Sequence, residues 1–142
     1  MSKTYFVSGH RDITEEEFVE HYEPKMWKKL NEEGSKFIIG DCYGADDMAQ
    51  KYLKAMGIIE NVTIYHMFDV PRCCADAGFN IRGGFRSDIE RDFAMTKNSD
   101  EDIAWVKPGR EHSGTAKNIE RRSWMNERIA KGLSVTFRSL NK

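Results

Sequence analysis

Between Trp105 and Arg122 the chain reads WVKPGREHSGTAKNIERR, and the residue types at its centre are those that hold anions. An apolar run stops at Pro108-Gly109, a polar turn follows, and Ser113-Gly114-Thr115 opens a helical segment. Free backbone N–H groups at a helix start carry a partial positive charge that favours phosphate. Gly114 lets such a group approach the backbone without a Cβ in the way, and Ser113 and Thr115 add hydroxyl donors. Helix capping by Ser113 or Thr115 explains the same residues without any ligand.

Two other turns carry comparable chemistry. SGHRD (8–12) follows an apolar run and supplies Gly9 and Arg11, whose planar guanidinium fork suits a phosphate. Pairing of Arg11 with the adjacent Asp12 is the alternative. GDCYGADD (40–47) supplies Gly40, Gly44, Asp46 and Asp47. Carboxylates in the first turn of a helix suit the dipole, so Asp46 and Asp47 are either caps or acceptors for ribose hydroxyls. Arg91 stands out on the helix before the Trp105 turn, although an arginine among Glu90 and Asp92 is ordinarily solvated. The 73–86 stretch, with Arg82, Phe85 and Arg86, reads as a loop able to fold over a ligand, and structural packing explains the same residues equally well.

The elements that must position these turns alternate. TYFVS (4–8), KFIIG (36–40), VTIYHMF (62–68), DIAWV (102–106) and LSVTF (133–137) read as five strands. Thr14 with Glu17, and Ser87 with Glu90, have capping-box spacing. Phe18, Tyr22, Met26 and Leu30 recur at helical spacing, with Pro24 predicting a break near 21–23. Ala45, Met48, Ala49, Tyr52, Leu53 and Met56 trace another helical face, and a last helix runs from about Thr115 to Lys131. Alternation of this kind predicts an α/β, Rossmann-like three-layer fold: a mostly parallel sheet of about five strands, in one domain spanning 1–142. In such a sheet the three glycine turns share one edge, where ligands bind.

Composition narrows the function. The 142 residues carry 22 basic and 23 acidic side chains, a net charge of −1, which gives no support to nonspecific nucleic-acid or membrane-surface binding. Cys42, Cys73 and Cys74 are odd in number and two are adjacent, against a disulfide framework. Their spacing with His66 matches no metal motif, so neither metal nor cofactor is expected. With no leader pattern and no apolar run near membrane length, the sequence reads as soluble and cytoplasmic. Trp27, Trp124 and Met125 are more apolar than a solvated helix face needs and suggest a homo-oligomer surface, or core packing.

Three longer stretches carry a family likeness: FVSGHRD, IIGDCYGADDMAQKYL, and IERDFAMTKNSDEDIAWVKPGREHSGTAKNIE. Together they resemble the SLOG superfamily, the Rossmann-like group that includes the Lonely Guy phosphoribohydrolases and the DNA-processing protein DprA, over roughly residues 4–130. The resemblance implies that Gly114 and Thr115 bind phosphate, that Arg91 contacts the nucleotide, that Gly44 and Asp46 line the ribose side, and that the chain assembles into homodimers or larger. Two departures stand out. Arg110, Glu111, His112 and Ser113 separate Gly109 from Gly114, where Lonely Guy enzymes have a compact loop. Asn118 stands where their Gly-Thr-x-x-Glu pattern has its catalytic glutamate, and asparagine is no general base. Nucleoside deoxyribosyltransferases, related in architecture, use a glutamate in a similar context. The expectation is therefore a protein that senses or sequesters a phosphorylated nucleoside. The alternative is an N-glycosidic hydrolase or transferase in which Arg91 orients phosphate and Glu111 or Glu120 is the acid or base. A DprA-like DNA-binding module lacks the basic, aromatic-interleaved stripe it would need.

Overall fold

A computed structural model describes residues 2–74 and 78–141. Five strands, β1 (Thr4–Ser8), β2 (Lys36–Gly40), β3 (Val62–Met67), β4 (Asn80–Phe85) and β5 (Glu101–Ala104), form one sheet in the order β4-β3-β2-β1-β5. Every pairing is parallel. The helices are α1 (Glu15–His21), α2 (Glu23–Leu30), α3 (Ala45–Ala55), α4 (Asp88–Lys97) and α5 (Gly114–Ala130), followed by a 3-10 turn at Arg138–Asn141.

Strand alternation sorts the core into two layers. Tyr5, Val7, Phe37, Ile39 and Ile64 meet Phe18, Tyr22, Met26, Ala49 and Leu53 from α1–α3. The intervening Phe6, Ile38 and Tyr65 meet Met95 of α4 on the other face. Helices thus cover both faces, as a parallel sheet requires.

The helix breaks and caps follow their local signals. Thr14 and Glu17 exchange both capping-box bonds, at 3.1 and 2.9 Å. Ser87 caps α4 by accepting from the Glu90 amide, but the Glu90 carboxylate reaches back to the Arg86 amide instead of closing the box. Pro24 falls in the first turn of α2, where its missing N–H costs nothing, so the helix stops at His21 and restarts at Glu23. Tyr22 at that junction is fully buried, and its hydroxyl donates to Ser8 O at 2.6 Å and accepts from the Trp105 amide at 3.1 Å. One phenol therefore clamps the carboxyl ends of β1 and β5 together.

Two expectations need correction. Residues 133–137 are not a strand: Leu133 and Phe137 are partly exposed, and Phe137 packs edge-on against Phe93 at 5.5 Å. The alternating pattern there is used to cover a helix. The fifth strand is instead β4, inside the stretch that reads as loop. Its residues NIRGGF are almost wholly exposed and lack alternation, because β4 is an edge strand that takes its order from pairing with β3. Gly83 is obligatory there, since a Cβ would run into the His66 ring.

Candidate functional site

From β1 the chain steps outward through β2 and β3 to β4, then crosses back to place β5 on the other side of β1. The carboxyl ends of β1 and β5 thus form the topological switch point, where open parallel sheets leave a crevice. A cavity of about 470 Å³ lies there. Phe6 and Ser8 of β1, the Gly9–Asp12 turn, Cys42 and Asp46 line one side of it. Asp88, Arg91, Asp92 and Met95 of α4, Arg110, and Gly114, Thr115 and Asn118 of α5 line the rest.

Gly9, Arg11, Asp46, Arg91, Gly114 and Thr115, all singled out from the sequence, are thereby brought together. Gly40 and Gly44 stand behind the wall. A Cβ on Gly40 would lie 2.7 Å from the Asp46 carboxylate, and one on Gly44, whose φ is +74°, would strike the Arg11 backbone. Gly9 likewise makes room for Tyr22 and Ala45. These three glycines answer to the protein's own packing. Gly114 does not: its φ is not positive and a Cβ there would meet nothing within 4 Å.

Ser113 does cap α5, its Oγ accepting from the Ala116 amide at 3.1 Å. It serves the helix and does not line the cavity. Lys117 N–H closes on Ser113 O, so the amides of Gly114 and Thr115 are left without an acceptor among the described residues. Ser8 Oγ, on the same cavity, is buried and has no hydrogen-bond partner among them either.

Three sequence candidates lie elsewhere. Glu111 is exposed and accepts from the Gly109 amide at 3.2 Å, a local turn bond that also accounts for Gly109 with its φ of +85°. Glu120 is exposed on α5, two residues round the helix from Asn118. Neither carboxylate, nor Gly109, lines the cavity.

Charge in the cavity is mostly spoken for. Arg91 is 5% exposed, and its Nη1 donates to Asp41 Oδ1 at 2.6 Å while Nη2 and Nε bond Asp92 at 3.0 and 3.3 Å. Asp41, fully buried, also accepts from the amide, Nε and Nη2 of Arg72. Burial alone would raise the Asp41 pKa, but those bonds and the two guanidinium charges hold it below its ordinary value. Arg91 is thus committed to an internal network, not offered as a free clamp.

Asp12 pairs bidentately with Arg110 at 2.6 and 3.2 Å, which pulls its pKa to about 2. Arg11 therefore loses its sequence neighbour as a partner. It is exposed, lines the cavity and has no carboxylate within ion-pair distance among the described residues. His10 accepts the Lys107 amide on Nε2 at 2.9 Å, which requires a lone pair there, and burial with the nearby Arg110 lowers its pKa. The imidazole is neutral and contributes no cation.

Two acids behave oppositely to Asp12. Asp46 is buried at the cavity wall, 6% exposed, and its pKa is raised to about 7, first by burial, against the opposing charge of Arg91. Asp92 is raised too, again chiefly by burial. Asn118 is buried and its Oδ1 accepts from Arg121 Nη1 at 2.6 Å, leaving its amide group as a neutral donor. Asp92 was legible as more than a neighbour of Arg91: residues 88, 91, 92 and 95 have the i, i+3, i+4, i+7 spacing of one helix face. Ser8 and Arg110 carry no comparable local signal.

No family model, curated protein or solved structure matches this chain. Among the described residues no helix is long and apolar enough to cross a membrane.

Proposed function

We propose that this is a SLOG-like protein that binds a phosphorylated nucleoside at the strand carboxyl edge, sensing or sequestering it. The observation that carries the reading is the convergence on one cavity of three unbonded donors, the Gly114 and Thr115 amides at a helix start and the buried Ser8 hydroxyl, with Arg11, which donates only to Cys42 Sγ and pairs with no carboxylate among the described residues. An anion bonded to those amides takes the favourable end of a 17-residue helix dipole. The volume falls within the roughly 300–1,000 Å³ typical of small-molecule pockets. Phe6 and Met95, core side chains each 1% exposed, close the cavity's apolar floor.

Calorimetry with AMP, dAMP and CMP, each against its nucleoside, tests the reading. The monophosphates should bind at least about tenfold more tightly, the worth of one charge-assisted contact set. Equal affinity for the nucleosides refutes it.

A second reading, N-glycosidic cleavage or transfer, is favoured by one feature: Asp46 and Asp92 bring two carboxyl groups of raised pKa to the cavity where Asn118 replaces a glutamate. Release of free base on incubation with AMP, followed by chromatography, would establish that reading in place of sequestration.

A further inference from the structure

Asp46 has an unusual bonding pattern for a largely buried carboxyl group that opens onto the cavity. Its Oδ2 accepts from the Cys42 amide at 3.1 Å, while Oδ1 has no hydrogen bond among the described residues. The residue lines the cavity and is 6% exposed. Arg91, whose charge bears on Asp46, is bonded to Asp41 and Asp92 and not to Asp46. The absence of a Cβ on Gly40 lets the group sit against the end of β2. An enclosed carboxylate without a bonded cation is strongly disfavoured, whereas a carboxyl proton on Oδ1 turns an unmatched acceptor into a donor. Ser8 Oγ, buried and unpartnered on the same cavity, adds a second donor with nothing to bind inside the protein.

We infer that Asp46 selects the ligand as a hydrogen-bond donor, its protonated carboxyl group bonding a neutral acceptor on the nucleoside, a hydroxyl or carbonyl oxygen or an unprotonated ring nitrogen. The inference rests on the nucleotide reading and reverses the role that a first-turn aspartate suggests, acceptance of ribose hydroxyl hydrogens. Binding then requires one proton on the protein. The groups bearing on that proton are Arg91 and Asp92 from α4, Asp41 and Cys42 after β2, Tyr22 at the α1–α2 junction, and Cys73 before β4. Burial dominates them and keeps Asp46 protonated up to about pH 7.

The test is AMP calorimetry at about pH 6 and about pH 8 on wild type and Asp46→Asn, whose amide keeps the Cys42 bond and donates without titrating. The phosphate of AMP titrates near pH 6 itself, but equally for both proteins, so the ratio of their affinities is the readout. Wild-type affinity relative to the variant should fall roughly tenfold across that range. A ratio unchanged with pH overturns the inference. If AMP binds at neither pH, it is the nucleotide reading that fails, and the carboxyl ¹³C titration of the free protein still decides Asp46. In that titration a resonance missing from Asp46→Asn should move with a midpoint near 7; full ionisation by about pH 6 overturns the donor role.

Discussion

Replacing Arg91 with methionine separates a structural arginine from a ligand-binding one. Methionine keeps most of the stem's volume and removes the guanidinium. The loss falls unevenly. Asp41 keeps three bonds from Arg72, whose side chain is 33% exposed, whereas Asp92 loses both its Arg91 bonds and retains only the charge of Arg121 nearby. Breaking a buried pair from one side typically costs about 3–5 kcal/mol, because an uncompensated charge stays behind. With Arg72 still in place the lower figure applies, about 3 kcal/mol. A domain of this size has roughly 7–21 kcal/mol in total, so the variant folds, with its melting temperature lowered by about 10 °C. Urea denaturation near neutral pH measures the difference. Adding Asp92→Asn to Arg91→Met should recover part of it, since an uncharged amide needs no cation. The pH dependence has a definite sign. Asp41 is depressed in the folded state, so its contribution is present above its ordinary pKa of 3.8 and is lost as pH falls through the lower, folded value. The gap between variant and wild type should therefore narrow in acid. An Arg91→Met protein within about 1 kcal/mol of wild type that no longer binds AMP would refute the reasoning and return Arg91 to the ligand.

Gly114→Asp should abolish AMP binding with stability nearly unchanged, because its side chain starts in open space and sets a negative charge among the free amides; retained affinity moves the anion site elsewhere. Gly9→Ala should do the reverse, costing at least about 1–3 kcal/mol in urea denaturation through its clash with Tyr22 and Ala45. Arg11→Ala should weaken AMP about tenfold, leave adenosine binding alone and flatten the salt dependence, as calorimetry at two ionic strengths would show. Asp46→Asn should be more stable than wild type at about pH 8: a carboxyl group raised in the folded state loses stability as pH climbs from its unfolded value of 3.8 to about 7, and the amide does not. Glu111→Gln and Glu120→Gln should change no activity found with AMP, since both carboxylates stand outside the cavity.

The Asp12–Arg110 pair shows why charge partners were not legible along the chain. Arg11 is adjacent in sequence, yet the bidentate fork comes from a residue 98 positions away, brought in where β1 and β5 end side by side. Arg91 shows the same in reverse. Its position before the phosphate-like turn places it on the cavity wall, but its burial and its bond to Asp41, 50 residues distant, are set by the packing of α4 on the sheet. Glu111 and Glu120 lie near Asn118 in sequence, but a turn bond holds the first and helix rotation turns the second, so neither lines the cavity. Met125, weighed as an oligomer contact, is a core residue, while Trp27 is 53% exposed.

What the sequence determined by itself was everything with a local cause. Hydroxyl caps, the proline break and the hydrophobic periods act within one turn of helix or one strand, so the alternation and the glycine turns could be read directly. Tertiary structure alone decided which strand completes the sheet, which arginine is left without a carboxylate and which carboxyl group is buried without a bonded cation. Those outcomes depend on pairing energy and on exclusion of water, and both exist only once distant segments are in contact.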